Sequence, residues 1–357
     1  MNVIKPRSKF CLLPRDMETR HRDLAGPYTK PSSATENTAK STVRLNRTKM
    51  KTTPHQPRKI AIVGASGNLG KQTVNFLLAK GIHTITAISR LESSATFPDG
   101  VVVKRGDYSD AEFRKEALQG QDVLVLQVEM MSMDVQEIFI RTAAEVGVPW
   151  ILPTEFGSDT TSKLVQELHL MKLKVNIRSL IEELGVSSWI AVVTNPWFDF
   201  SMKLGMWGID IKNRTAKFWG DGWPRIPTTT LRRAGEATAL LLSLPGEELE
   251  NLRNRHFYVH SFMGSQKYFL ESVMRVTDTT EKDWKIQEVD VEEAYEKAKN
   301  RAAEGDIPSM VEMLYILHFM DGYGGDYSAK LITNEELGLE NEDIDDAVRG
   351  VIQSMEE

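Results

Sequence analysis

The chain has 357 residues, of which 41% are hydrophobic and 26% charged, a length that suggests about two domains with ample material for a buried core. No run approaches the ~20 apolar residues of a membrane span, and the net charge of −6 argues against a general polyanion binder, so neither membrane nor nucleic acid is expected as a partner. The single cysteine, Cys11, excludes an intramolecular disulfide and a cysteine-based metal site, and it fits a reducing, cytoplasmic compartment.

The charge is unevenly spread. Residues 1–57 hold 12 Lys+Arg against 4 Asp+Glu, while the following 300 hold 32 against 46. This segment is rich in Ser, Thr, Pro, Arg and Lys and has no helical or strand period, so it reads as a disordered basic leader. A mitochondrial presequence is the rival reading, against which Asp16, Glu18 and Asp23 count. Translation from Met50 would place residues 1–49 outside the natural protein altogether.

From Arg58 the character changes. Lys59 to Val63 is a short β-prone apolar run of the kind buried on both faces of a parallel sheet. It enters Gly64-Ala65-Ser66-Gly67-Asn68-Leu69-Gly70, after which Val74, Leu77 and Leu78 recur at helical spacing until Gly81. Strand, glycine-rich turn and helix together form a phosphate cradle. Glycine lets backbone approach an anion, and the helix start offers unpaired N–H groups to it. Gly64, Ser66, Gly67, Asn68, Leu69 and Gly70 are therefore expected to hold a dinucleotide, although the spacing is G-x-x-G-x-x-G. The next strand, Thr84 to Ile88, ends in Ser89-Arg90 where an acidic residue would select NAD. A hydroxyl beside a guanidinium favours the extra phosphate of NADP, so NADPH is the expected cofactor.

Further strands alternate with helices: Val101–Val103, a helix around 110–118, Asp122–Gln127, a helix near 134–146, Pro149–Pro153, a helix near 163–184, and Ser188–Val193. This alternation predicts an α/β, Rossmann-like doubly wound parallel sheet over residues 58–200. Ligands bind such sheets beyond the carboxyl ends of the strands. Asp107, Tyr108, Gln127, Val128, Glu155, Phe156 and Asn195 fall there and outline one crevice.

Four segments now carry a likeness: Gly64–Gly70 (GASGNLG), Arg105–Asp107 (RGD), Leu152–Asp159 (LPTEFGSD) and Asn195–Phe198 (NPWF). In these the sequence resembles the NmrA-like and isoflavone reductase-like branch of the atypical short-chain dehydrogenases, closest to fungal members. The resemblance implies NADPH binding, with Pro153, Thr154, Glu155 and Phe156 on the cofactor, and reduction of a small aromatic or conjugated molecule. Ordinary members of the wider family use a Tyr-x-x-x-Lys acid on the helix after the fifth strand, but no tyrosine lies between Tyr108 and Tyr258. Tyr295 to Lys299 matches that pattern literally yet sits in a charge-rich segment that reads as a solvated helix face, and Tyr327/Lys330 is weaker still. The isoflavone reductase-like enzymes use a lysine four residues before an Arg-x-x-Ile-Glu-Glu turn. Here that turn is Arg178 to Glu183, which selects Lys174, with Lys172 in reserve and His169 third. A lysine in an apolar cleft has its pKa lowered and serves as acid or base near neutrality.

No His-Glu-x-x-His pair or other ligand cluster suggests a metal. Residues 201–357 read as a smaller mixed α/β substrate-binding region with some segments returning to the sheet. Short strands are expected at 217–219 and 225–229 around a Gly-Asp-Gly turn and at 256–259, with helices at 234–244, 265–276, 289–303, 308–320 and 341–355. Asn195, Trp197 and Phe198, with Met130, Met131 and Met133 after the fourth strand, are candidates for an apolar substrate wall. The function expected is an NADPH-dependent reductase of an apolar secondary metabolite. The alternative is a non-catalytic NADP-sensing regulator with a protein partner.

Overall fold

The structure, a computed structural model, describes residues 55–129, 132–331 and 334–356. The basic leader and the start at Met50 fall almost wholly outside these residues, as do the substrate candidates Met130 and Met131.

Strand β1 (Lys59–Val63) turns through the glycines into helix α1 (Asn68–Lys80), which Gly81 ends in the left-handed conformation. There follow β2 (Thr84–Arg90), β3 (Val101–Gly106), α2 (Ala111–Leu118), β4 (Val123–Leu126), α3 (Met133–Val146) and β5 (Trp150–Leu152). Then come α4 (Leu164–Glu167), α5 (His169–Leu184), β6 (Ser188–Val193), α6 (Phe198–Lys203), β7 (Ile209–Asp210), β8 (Thr215–Trp219) and β9 (Ile226–Thr228). The last part holds α7 (Leu231–Ser243), α8 (Gly246–Glu250), β10 (Arg255–Tyr258), β11 (Phe262–Gly264), α9 (Gln266–Val276), β12 (Lys285–Val289), α10 (Val291–Ala303), α11 (Ile307–Phe319), α12 (Asn334–Leu337) and α13 (Ile344–Glu356).

Seven strands form one parallel sheet in the order β10-β6-β5-β4-β1-β2-β3. The chain winds outward in both directions from β1, so its crevice lies where β1 and β4 diverge. Val63 pairs with both Ile88 and Leu126, which brings the carboxyl ends of three strands level. Alternate residues of β1 feed opposite cores, as period-2 geometry requires. Ile60 and Ile62 pack with Val74 and Leu77 of α1 and Ala234 and Leu241 of α7. Ala61 and Val63 pack with Ala117, Phe139, Ile140 and Ile181 from α2, α3 and α5. Helices thus cover both faces, the doubly wound arrangement that the alternation predicts.

A third core lies apart from the sheet and is rich in aromatics. Trp207 meets Phe269, Tyr315 and Phe319 within 6.1 Å, the last two edge-on, and Phe198 meets Phe262 and Phe269 at 5.1 and 5.2 Å. Around it β8 pairs in parallel with β12 and antiparallel with β7.

Two local expectations are corrected. The helix expected over 163–184 is two helices, because Leu168 is extended (φ −113, ψ 113) between α4 and α5. The two strands expected on either side of Gly220 and Gly222 are present as β8 and β9, and β9 pairs with β11, the left-handed φ values of 67° and 71° turning the chain between them. Tyr295 is not on a solvated face. It and Ala298, three residues on, point into the aromatic core, and the Tyr295 hydroxyl donates to Glu167 Oε2 at 2.9 Å.

Helix α7 lies directly on α1 because Gly235 has no side chain: a Cβ there would stand 2.6 Å from Gln72 Cβ and 2.7 Å from its carbonyl carbon. Gly235→Ala should therefore destabilise the fold by about 1–3 kcal/mol in urea unfolding. The open Gly350 in α13, with nothing within 4 Å of its Cβ position, should instead gain up to about 1 kcal/mol on the same change.

Candidate active site

The turn after β1 is built around glycine. Gly64 has φ 88°, and a Cβ on it would lie 2.2 Å from the Gln127 carbonyl oxygen at the end of β4; a Cβ on Gly70 would lie 2.1 Å from Gly64 O. Gly67 N–H donates to Gly64 O at 2.9 Å, and Gly67 caps α1 without a side-chain hydrogen bond. The first turn of α1 carries no acidic residue, so its free N–H groups present uncancelled positive potential to an anion. Gly67, Asn68 and Leu69 border a cavity of about 450 Å³, while Ser66 borders a second one of about 350 Å³. A dinucleotide fits this cradle: the backbone comes as close as glycine permits, and Gln127 leaves a buried Oε1 unpartnered beside it.

The smaller cavity is lined by Ser66, Lys71, Asn75 and Thr96 among others. Arg90, at the end of β2, is exposed and stands 3.6 Å from Glu92. Ser89 is buried, and its Oγ accepts from Arg105 at 3.4 Å. Arg105 also holds the carbonyls of Ser93 and Ala95 at 2.6 and 2.5 Å, shaping the loop beside the cavity. Sequence reasoning gave no role to Lys71, whose one signal is its place directly after the third glycine. Asp107 is exposed and accepts from Ser109 N–H at 2.8 Å, which holds its carboxyl below the usual range. Tyr108 turns inward: its hydroxyl donates to Ile88 O at 3.0 Å, its ring meets Phe139 edge-on, and burial pushes its pKa up to about 12. Its hydroxyl is committed to strand β2 and does not reach the larger cavity.

That larger cavity gathers Gln127, Val128, Thr154, Glu155, Phe156, Lys174, Asn195 and Trp197 from the expected residues. Lys174 is only 4% exposed. Its Nζ donates to the Glu155 carbonyl at 2.5 Å, and burial first, then Arg178, lowers its pKa from 10.5. The Glu155 carboxylate pairs with the buried Arg178 guanidinium, which also donates to Thr160 Oγ1 at 2.8 Å and lies over the Trp189 ring. Lys172 and His169 are exposed, so the helix itself separates the three candidates. Met171, Lys174, Ile177, Arg178 and Ile181 are the buried stripe of α5.

The Glu155–Gly157 turn is tied to the end of β6. Phe156 has φ 28°, and Gly157 O accepts from both Thr194 and Asn195 N–H at 3.0 Å. Pro153 is buried behind this turn and does not border the cavity. Phe198 is a correction: it is fully buried in the aromatic core, because residues 198, 201 and 202 of α6 face inward. Its neighbours Trp197 and Phe200 border the cavity instead, with Leu314 and Tyr315 of α11, which sequence reasoning did not single out. Met133 opens α3. Tyr327, of the weaker Tyr327/Lys330 pair, is buried with its hydroxyl on Val259 O, and Lys330 pairs with Asp159 at 2.5 Å. No helix among the described residues is long and apolar enough to cross a membrane.

Residues 56–203 match the model of the NmrA-like family. Over 302 residues the chain is 28% identical to the oxidoreductase aprR of Aspergillus flavus, covering 83% of this chain and 99% of that protein. Among solved structures, an isoflavone reductase superposes with a TM-score of 0.67 at 19% identity, and AtPrR2 with NADP+ and (+)pinoresinol with 0.65 at 18%. Each comparison covers 83% of this chain and 99% of the other.

Replacing Glu155 by Gln leaves Arg178 buried without a counter-charge. It should cost about 3–5 kcal/mol in chemical denaturation; a loss of under about 1 kcal/mol would show that solvent reaches the pair.

Proposed function

We propose that the protein is an NADPH-dependent reductase acting on a small apolar, aromatic or conjugated molecule, with Lys174 as proton donor or polarising group. One observation carries this reading: a lysine with a lowered pKa, buried in the wall of a largely apolar cavity that also contains the open N-terminus of α1. The name oxidoreductase borne by aprR and the NADP+ of AtPrR2 support it.

The N–H groups opening α1 would hold the diphosphate, while Lys71, Arg90 and Ser66 would meet the 2′-phosphate side. NADPH supplies the hydride. The Lys174 ammonium, kept in place by the Glu155 carbonyl, would stabilise negative charge developing on a substrate oxygen and then give it a proton. Val128, Phe156, Trp197, Phe200 and Leu314 keep the substrate side apolar and exclude water, which strengthens that charge interaction.

Lys174→Ala should cut kcat by about 10²–10⁴-fold while leaving NADPH affinity unchanged. Undiminished reduction of a panel of aromatic ketones and enones, followed at 340 nm, would remove the lysine from the reaction. A donor with a lowered pKa is lost as pH rises through that lower value, so kcat should fall on an alkaline limb centred below 10.5. A profile flat to that point contradicts proton donation. Lys71→Ala or Arg90→Ala should weaken NADPH by about 10–100-fold and NADH little; equal losses would undo the preference. Tight NADPH binding with no turnover anywhere in the panel is what the regulatory alternative expects.

A further inference from the structure

Glycine occupies a position for one of three physical reasons: a left-handed backbone, a neighbour too close for a Cβ, or an approach that a side chain would block. Gly157, in the turn between β5 and α4, meets neither of the first two. Its φ lies outside the left-handed region. Apart from its chain neighbours, a Cβ built on it would have only two heavy atoms within 4 Å among the described residues, Glu155 O at 3.3 Å and Lys174 Nζ at 3.5 Å. A methyl makes contacts of that length after a shift of a few tenths of an ångström. The third reason remains, and the atom whose approach is kept open is the Lys174 ammonium nitrogen.

The opening is on the cavity side. Gly157 is partly exposed and borders the larger cavity, whereas Glu155, Phe156 and Ser158 around it are buried. Its direction is fixed, because Gly157 O accepts from the Thr194 and Asn195 N–H groups at the end of β6. An ammonium has three hydrogens to donate, and Glu155 O takes one of them at 2.5 Å. Glu155 O can accept but not donate, so an oxygen placed beside it must draw its hydrogen bond from Nζ.

We infer that Gly157 is a specificity-determining residue: the place left by its missing side chain, against Lys174 Nζ, receives the reacting oxygen of the substrate, a terminal carbonyl oxygen. This placement rests on the reductase reading of the same cavity and adds the residue that keeps room for the oxygen. The place has the breadth of a Cβ and is closed behind by Nζ and Glu155 O. A carbonyl oxygen enters it from the cavity on one carbon, whereas an ether oxygen brings a second carbon with it.

The test treats the full chain and its Gly157→Ala variant with formaldehyde and cyanoborohydride, and follows methylation of Lys174 and Lys172 by peptide mass spectrometry. Lys172 is exposed on the same helix and serves as the internal standard. Gly157→Ala should slow methylation of Lys174 by about tenfold or more and leave Lys172 unchanged. A substitution that only loosened the fold would expose Lys174 and speed its methylation. Reduction of benzylideneacetone and the rest of the ketone and enone panel by NADPH is then measured in a double-mutant cycle with Lys174→Ala. The glycine change should cut kcat by about tenfold or more where Lys174 is present, and by about twofold or less where it is gone. Unchanged or faster Lys174 methylation, equal losses in both backgrounds, or reduction of benzyl phenyl ether in place of the ketones overturns the inference and spares the reductase. If NADPH binds but neither the ether nor any ketone or enone is reduced, the reductase reading falls and this placement falls with it.

Discussion

The site depends on what Glu155 does with its two ends. Its carboxylate is buried against Arg178, and its main-chain carbonyl receives the Lys174 ammonium. A glutamate at this point of the sheet would ordinarily stay in water, since removing a carboxylate from solvent costs several kcal/mol unless a partner compensates. Arg178 compensates, one helical turn along α5 from Lys174, and so the ion pair fixes both the β5 turn and the register of α5 against it. The same geometry sets a tension. The buried guanidinium nearby and the loss of water both disfavour a charged lysine, while the Glu155 carboxylate favours it. Burial prevails, which leaves an ammonium that releases its proton more readily than a surface lysine.

Much of this was legible in the sequence, for physical reasons that differ by element. The glycine turn is legible because no other residue tolerates a carbonyl 2.2 Å from its Cβ position, so chemistry and residue type coincide at Gly64. The parallel sheet is legible because strands buried on both faces are uniformly apolar. Lys174 is different. Apolar residues flank it on nearly every side of α5, so helical period did not choose among Lys172, Lys174 and His169, and only a family pattern did. The structure separates them through the stripe Met171, Lys174, Ile177, Arg178 and Ile181.

The misplacements are equally local. Phe198 and Trp197 are adjacent, and a helix beginning between them sends one ring into the core and the other to the cavity. A run of aromatics cannot reveal where that helix starts. Tyr295 belongs to a segment whose charges are exposed, but one inward stripe of Tyr295 and Ala298 is enough to bury it. Lys71 lies at a position where a lone cation carries no period at all; it is seen only with the loop at 96–98 beside it.

The cavity has walls from two separately packed cores. Its nucleotide side stands on the sheet, where Gly64, Gly70 and the β4 carbonyl leave no room for another residue. Its opposite side is carried by the aromatic cluster through α6 and α11, which bring Phe200, Leu314 and Tyr315 to the cavity. Substitutions on that far wall can therefore reshape what is accepted without disturbing how the coenzyme is gripped.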